Sequence, residues 1–385
     1  MFRRRKMLKF NNGKFKILIF GDIHECEDYK TSPNFKDMQK LMNAALDEYK
    51  PDLCVLMGDN CSTGNIGKDP DGFRKMMEAV TAPIRERKIP AAVILGNHEH
   101  DHGFEKEVVE ICGSTDGLIM RNDAPKEITG SANFKELIYS ADGSTPEFCL
   151  WFIDSNNCGE DKEVCHYDFV HSDQIKWFED ESAKLKEMNG GKPMPAFIFQ
   201  HIPVPEEYQL FRKAKLWELP WATRGFRNKS SNFYMLKKGC KGYLGEGPCS
   251  PDINNGQFAS WKRVGGILAA FFGHDHLNDF SGFVDGIYLA QHKTSGFRAY
   301  TDGCHSMVRC VTIDEKNPEA FTDEIKHFKE FGLKCECLGP IFRNLTDRES
   351  RNIHIAADIL YAAGGIAAAV IGTKLIKSKG GRKNG

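Results

Sequence analysis

The stretch Lys16-Ile17-Leu18-Ile19-Phe20-Gly21-Asp22-Ile23-His24 joins a short apolar run to a polar cluster. Five more short apolar runs follow along the chain, at residues 53–57, 91–95, 148–153, 196–199 and 267–272. Near-continuous apolar runs of this length are typical of strands that are buried on both faces of a sheet. Between them lie helical patterns at residues 35–49, 73–87 and 174–188. The alternation predicts an α/β fold.

Four of the other five runs also end in polar residues. These four clusters are Gly58-Asp59-Asn60, Gly96-Asn97-His98-Glu99, Gln200-His201-Ile202-Pro203 and Gly273-His274-Asp275-His276. In an open α/β sheet, ligands bind beyond the carboxyl ends of the strands, so we expect the five clusters to converge on one edge. The glycines permit sharp turns and a close approach of the backbone there.

The side chains in these clusters are those of a metal site. Carboxylates, imidazoles and one amide oxygen suit hard to borderline cations. Seven such groups exceed the needs of one four-coordinate ion, and two ions that share one carboxylate fit the count. Two-metal sites of this kind clamp a phosphoryl group. The seven candidate ligands are Asp22, His24, Asp59, Asn97, His201, His274 and His276.

The order Asp-x-His, Gly-Asp, Gly-Asn-His, His and Gly-His-x-His, over residues 17–280, resembles the calcineurin-like metallophosphoesterase superfamily. The resemblance implies two mixed β-sheets packed as a sandwich and flanked by helices. It also implies a role for each ligand. Asp22, His24 and His276 hold the first metal, whereas Asn97, His201 and His274 hold the second. Asp59 bridges the two metals, and His98 acts at the leaving-group oxygen without binding a metal.

A closer similarity is to the branch related to purple acid phosphatases. It is carried by residues 201–206, 246–247, 255–256 and 273–280. Purple enzymes have a tyrosine ligand three residues after the bridging Asp, where this chain has Ser62. Nothing therefore supports a ferric-tyrosinate site. Two divalent or mixed-valence ions of manganese, iron or zinc all suit the donors.

These observations predict a binuclear-metal-dependent phosphoester hydrolase, either a phosphatase or a phosphodiesterase. A hydroxide that bridges the metals attacks phosphorus in line, and His98 assists the departing alkoxide. Two alternatives stay open, which are a catalytically silent metal-binding scaffold on the same fold and a nuclease of the same superfamily. The chain has 52 Lys and Arg against 53 Asp and Glu, so its charge balance does not favour nucleic acid as a partner. The expected partner is a phosphorylated substrate.

Several neighbours of the ligands allow two interpretations. Glu99 and Asp275 either orient adjacent histidines or cap turns. His100 and His102 are predicted to belong to a solvated loop or to support the ligands by hydrogen bonds, rather than to bind metal.

We expect the phosphoesterase domain to span residues 10–335, with a loop-rich insertion at residues 205–263. Trp217 and Trp221 in this insertion either contact substrate or pin the insertion to the core. Residues 336–385 form a C-terminal extension with a short Ala- and Gly-rich apolar helix and a basic tail. We expect a cytoplasmic protein, with weak membrane association through residues 359–376 as the alternative.

The thirteen cysteines are odd in number and scattered, which favours reduced thiols over a disulfide scaffold. Cys335 and Cys337 are the one short pair. Because the sequence has no second pair near them, they are predicted to be a poor zinc site.

Overall fold

The computed structural model describes residues 7–26, 28–61, 69–101 and 103–380, and side chains as far as residue 367. Its strands are β1 (Leu8–Lys9), β2 (Lys14–Phe20), β3 (Leu53–Leu56), β4 (Ala91–Val93), β5 (Leu118–Ile119), β6 (Phe134–Tyr139), β7 (Pro146–Phe152), β8 (Ala196–Gln200), β9 (Phe211–Lys213), β10 (Thr223–Arg224), β11 (Phe233–Leu236), β12 (Ile267–Phe272), β13 (Ser281–Val284), β14 (Ile287–Gln291), β15 (Met307–Asp314) and β16 (Asn317–His327). Its helices are α1 (Pro33–Tyr49), α2 (Pro70–Glu86), α3 (Asn97–His100), α4 (Glu105–Ser114), α5 (Ser172–Met188), α6 (Gln257–Val264) and α7 (Asp347–Gly380).

Two large mixed sheets form the centre of the molecule. One has six strands in the order β16-β15-β2-β3-β4-β5, and the other has seven in the order β1-β6-β7-β8-β12-β14-β13. Both sheets are mixed, and the six-stranded one combines parallel pairs such as β2 with β3 and antiparallel pairs such as β2 with β15. The predicted α/β sandwich is therefore confirmed, and all six predicted apolar runs are strands.

The layers follow from the alternation of side chains along each strand. Ile17 and Ile19 of β2 point into the core between the two sheets, whereas Leu18 and Phe20 point into the core beneath α1, α2 and α4. A third core lies between the seven-stranded sheet, α5 and α6. Because residues of a strand alternate between its two faces, a strand with helices on one side and a second sheet on the other is apolar at nearly every position.

The region predicted as a loop-rich insertion contains regular structure. Strands β10, β11 and β9 form a small antiparallel sheet, and α6 closes the region. Trp217 and Trp221 are 70% and 61% exposed. The interpretation that they pin the insertion to the core is therefore wrong. The physical reason is that they lie in a short turn of 3-10 helix on the outer surface of the insertion.

The C-terminal extension forms one long helix, α7, rather than the short helix expected from its apolar part. Its apolar side chains are largely solvent-exposed as far as they are described, with Leu360 at 73% and Tyr361 at 80%. Across the described part of the chain, no helix combines the length and apolar character needed to cross a bilayer. Weak membrane association stays a prediction, as do the domain boundaries. Residues 381–385 of the basic tail, Ser62 and His102 lie outside the described residues.

Candidate metal centre

The five polar clusters converge at one end of the sandwich, and both sheets contribute to it. The loops after β2, β3 and β4 belong to the six-stranded sheet, and those after β8 and β12 belong to the seven-stranded sheet. The predicted convergence is therefore observed. It takes place across the junction of two sheets rather than along the edge of one.

The backbone is unusual at several of the candidate ligands. Asp22, His24, Asp59 and His274 have φ angles of 51°, 53°, 49° and 77°, in the left-handed region that non-glycine residues seldom adopt. Such conformations persist only where the surrounding structure enforces them, and they cluster at functional sites. The loops are thus shaped to aim side chains rather than merely to connect strands.

Gly96 shows why a glycine precedes one of the ligands. A Cβ atom at this position would lie 2.2 Å from Asp59 Oδ1. Any other residue would push apart the loops after β3 and β4. The expectation that glycine permits close backbone approach is confirmed at this position.

Asp22, His24 and His276 form a first cluster, with ligand atoms that lie within 4.8 Å of one another. The Nε2 atoms of His24 and His276 are 3.0 Å apart. His276 donates its Nδ1 hydrogen to the Tyr300 carbonyl at 2.9 Å, so its Nε2 carries a lone pair. The Tyr300 ring also stacks on the His276 ring at 4.1 Å. This imidazole is therefore fixed in the tautomer that binds a cation.

Asp59, His201 and His274 form a second cluster within the same distance limit. Asn97 joins it, because its Oδ1 is 3.1 Å from His201 Nε2. His201 donates from Nδ1 to the Met57 carbonyl at 2.7 Å, which leaves Nε2 as the ligand atom.

Asp59 belongs to both clusters. Its Oδ2 is 3.6 Å from His24 Nε2 and 3.1 Å from His201 Nε2. The structure thus brings together all seven candidate ligands, in the division that the resemblance implies.

Unpartnered polar atoms test whether these residues suit cations. Asp22 Oδ2 and both ring nitrogens of His274 are fully buried without a hydrogen-bond partner. A buried acceptor without a partner costs roughly 1–3 kcal/mol, and a buried charge costs more. Cations facing these atoms would remove that cost. The donor set and the orphaned atoms therefore both fit divalent metal ions.

The protonation of the histidines is also suited to metal binding. Burial holds the pKa of His24 and His274 well below the ordinary range and lowers that of His276 to about 4, so these rings are neutral ligands at pH 7. Burial also acts to lower the pKa of His201, but the Asp59 carboxylate outweighs it and raises the pKa to about 10. Metal binding at His201 therefore releases a proton and weakens as the pH falls.

His98 lies beside the two clusters and is less buried than the ligands. Its side chain is 36% exposed, and its ring meets the His24 ring edge to face at 5.1 Å. Its Nδ1 is 2.8 Å from Asp101 Oδ2, which leaves Nε2 to exchange a proton. His98 also lies within 4.8 Å of donor atoms of His24 and Asp59, so the geometry permits a ligand role as well. Its predicted role as a non-ligand stays a prediction.

Glu99 and Asp275 accept hydrogen bonds from loop backbone rather than from histidines. The Glu99 carboxylate accepts hydrogen bonds from the backbone N–H groups of Asp59, Asn60 and Gly96. Asp275 accepts from the backbone N–H of Cys249 at 3.1 Å. Glu99 therefore ties the bridging residue to the loop that carries Asn97 and His98.

The sequence analysis missed two partners of the histidines. Asp101 holds the His98 ring by a hydrogen bond. Its position three residues after His98 could have indicated this contact, because side chains three residues apart lie next to each other on a helix. Asp154 follows the fourth apolar run, residues 148–153, and holds His100, with Oδ1 2.9 Å from His100 Nε2. His100 is 12% exposed and held by a buried carboxylate rather than lying in a solvated loop, and its role as a support rather than a ligand stays a prediction.

The insertion is connected directly to the ligand loop after β12. Glu246 accepts the backbone N–H of Leu277 at 2.8 Å and the Tyr300 hydroxyl at 3.1 Å. The ligand loop also accepts hydrogen bonds from the insertion, because Asn278 Oδ1 accepts the backbone N–H groups of Gly245 and Glu246. The insertion therefore helps to hold His276 and its stacking partner Tyr300.

Comparison with known proteins agrees with this geometry. The model of the calcineurin-like phosphoesterase family matches residues 15–278, which include all seven candidate ligands. The chain belongs to the calcineurin-like phosphoesterase family. Metal-dependent hydrolysis of phosphoesters is the activity expected in this family, and the clustered ligands of this chain suit that activity.

Relatives of the chain include plant and yeast proteins. The chain is 29% identical to "Probable inactive purple acid phosphatase 29" from Arabidopsis thaliana, over 81% of this chain and 80% of that protein. It is 25% identical to "Phosphatase DCR2" from Saccharomyces cerevisiae, over 72% of this chain but 46% of that protein. Among solved structures, a dimetal phosphatase from Danio rerio is 12% identical, with a TM-score of 0.48, and the match covers 82% of this chain and 99% of that one.

Proposed function

We propose that this protein is a hydrolase of phosphomonoesters or phosphodiesters that uses two metal ions. The observation that carries the proposal is the position of Asp59, whose carboxylate faces both ligand clusters. Two divalent cations, when bound, neutralise charge on the phosphoryl group and make water a nucleophile at neutral pH. Manganese, iron and zinc all suit the donors, and Ser62 in place of tyrosine argues against a purple centre.

The residues of the chain divide the remaining work. Asp22, His24 and His276 hold one cation, and Asn97, His201 and His274 hold the other. Four residues support these groups by hydrogen bonds, namely Glu99, Tyr300, Met57 and Asp101. His98, held at Nδ1 by Asp101, donates the proton on Nε2 to the departing oxygen.

A catalytically silent scaffold is the second candidate function, because the Arabidopsis thaliana relative is named as probably inactive. Loss of activity in this fold would be expected to follow from loss of a ligand or of the Gly-Asn-His histidine. This chain has both in place, since all seven ligands and His98 cluster at one end of the sandwich. These features favour the hydrolase.

The bridging residue provides the decisive variant, Asp59→Asn. An amide has one acceptor oxygen and no charge, so we expect loss of both metals and nearly complete loss of hydrolysis. Metal content by mass spectrometry and turnover of aryl phosphate monoesters and diesters, after separate reconstitution with manganese, iron and zinc, measure this. Asp180→Asn on the exposed face of α5 is the matched control. Equal turnover by wild type and Asp59→Asn would support the scaffold.

The role of His98 has its own test. We expect His98→Ala to keep both metals and to lose about 100- to 10,000-fold in kcat, the range typical of a general acid. Metal content and kcat are measured on the same samples. An inactive protein without metal would instead make His98 a ligand.

The nuclease alternative has a separate test. Cleavage of DNA at low salt with manganese would revive this alternative, which the neutral charge balance disfavours.

A further inference from the structure

Cys335 and Cys337 lie in a cluster that the sequence does not reveal. The two Sγ atoms are 3.5 Å apart, and the Cys335 thiol donates to Asp37 Oδ2 at 3.2 Å. The ligand atoms of the three residues all lie within 4.8 Å of one another. Asp37 belongs to α1 and is fully buried, about 300 residues before the cysteines in the chain. Tertiary structure thus supplies the third donor that the sequence analysis did not find.

A fourth donor lies beside this cluster. Cys304, in the 3-10 turn Gly303–His305, is 4% exposed, and its thiol forms a hydrogen bond with Cys335. Three sulfurs and one carboxylate oxygen are a donor set that favours zinc among the common divalent cations. None of these four residues takes part in the binuclear centre.

The spacing of the sulfurs suits a shared tetrahedral ion. Two sulfurs bound to one zinc at about 2.3 Å lie about 3.8 Å apart, close to the distance between Cys335 and Cys337. Hydrogen bonds from the thiols hold the two sulfurs and the Asp37 carboxylate together. A bound divalent cation would replace the thiol hydrogens.

We propose that Cys335, Cys337, Asp37 and Cys304 form a structural zinc site, separate from the binuclear centre. The site fastens the segment that follows β16 to α1. Neighbouring contacts support this function, because Asp37 Oδ2 also accepts the backbone N–H groups of Glu336 and Cys337, at 2.6 and 2.9 Å. The binding site is therefore formed by the start of the C-terminal extension and a helix of the phosphoesterase core.

Cobalt distinguishes this site from the binuclear centre. Thiolate ligands give Co²⁺ a strong charge-transfer absorption in the near ultraviolet, which carboxylate, amide and imidazole ligands do not give. The seven candidate ligands of the binuclear centre include no sulfur, so this band does not come from that centre. We expect fully reduced, metal-free, full-length protein to develop the band on titration with Co²⁺ and to lose it on addition of Zn²⁺.

Two variants and one control complete the experiment. Cys335→Ser and the more accessible Cys337→Ser should each lose most of the band and bind Zn²⁺ more than about tenfold more weakly. Cys240→Ser, a partly buried thiol in the insertion, should keep both. Far-ultraviolet circular dichroism checks that each variant is folded.

Three results would overturn the zinc site. The first is the absence of a thiolate band in the wild-type protein, and the second is a band of equal strength in Cys335→Ser and Cys337→Ser. The third is a purified, metal-free protein whose mass is lower by two hydrogens through a bond between Cys335 and Cys337, since the pair would then be a disulfide.

Discussion

Replacing Glu99 by Gln tests whether one carboxylate holds the metal centre together. Glu99 is 1% exposed, and its two oxygens accept four hydrogen bonds. Oε2 accepts the backbone N–H groups of Asp59 and Gly96 at 2.8 and 2.7 Å. Oε1 accepts the backbone N–H of Asn60 at 2.7 Å and its side-chain amide at 3.3 Å. Every partner is a donor, so glutamine fits the space but not the hydrogen bonds.

The expected cost follows from the orientation that glutamine can adopt. In the least costly one, its NH₂ group faces Asn60, whose side chain can rotate to present its unpartnered oxygen. The backbone N–H of Asn60 is then left buried without an acceptor, at roughly 1–3 kcal/mol. The remaining bonds lose their charge assistance, which adds about 1 kcal/mol. We therefore expect Glu99→Gln to lower the free energy of unfolding by about 2–4 kcal/mol.

Urea unfolding of metal-free protein, followed by circular dichroism, measures this change. Glu110→Gln, at an exposed position of α4, removes the same charge without buried partners and is the control. Because Glu99 positions Asp59, the variant should also bind metal about 10- to 100-fold more weakly. If the free energies of unfolding of Glu99→Gln and Glu110→Gln differ by less than about 0.5 kcal/mol, the Glu99 carboxylate does not tie these loops together.

Two further predictions concern the histidines beside the metals. Asp101→Ala should lower kcat about tenfold without changing metal content, since it removes the acceptor that orients the His98 ring. Steady-state kinetics with metal analysis measure this, and an unchanged kcat would contradict it. At His100, burial acts to lower the pKa, but the Asp154 carboxylate outweighs it and raises the pKa to about 9. Because the pKa is raised in the folded state, protonated His100 stabilises the fold fully below the unfolded pKa of about 6.5, and this stabilisation is lost as the pH rises through about 9. His100→Gln should therefore lower the free energy of unfolding by about 3 kcal/mol more at about pH 6 than at about pH 10. Urea unfolding at both pH values measures the difference, and a cost that does not depend on pH would refute the assignment.

Much of the fold was predictable because its central strands are buried on both sides. Residues 196–199 and 267–272, for example, are apolar throughout, and the structure has β8 and β12 at these positions. The strand β16 was missed for the opposite reason. Its burial alternates between exposed and partly buried positions, so it lacks a continuous apolar run. The small sheet of the insertion was missed because its strands have only two to four residues each.

The candidate ligands were predictable for a related reason. Each lies within a few residues of the end of a buried strand, and strand ends in an α/β fold converge. Their supporting residues were less accessible. Asp154 ends a predicted strand but has no motif of its own, and Tyr300 contacts His276 from a loop more than twenty residues away.

The sequence by itself determined the α/β class and the seven candidate ligands, because these depend on local patterns next to buried strands. The bridging position of Asp59 was an implication of the family resemblance. Only the tertiary structure showed that the centre lies where two sheets meet, with Asp59 between the two clusters. It also brought Asp37 to Cys335 and Cys337, and Cys304 to Cys335, which changed the interpretation of that pair from a poor zinc site to a proposed one. The physical reason is the same in both cases. A metal site depends on distances between side chains, and residues far apart in sequence come within those distances only when the sheets and helices pack.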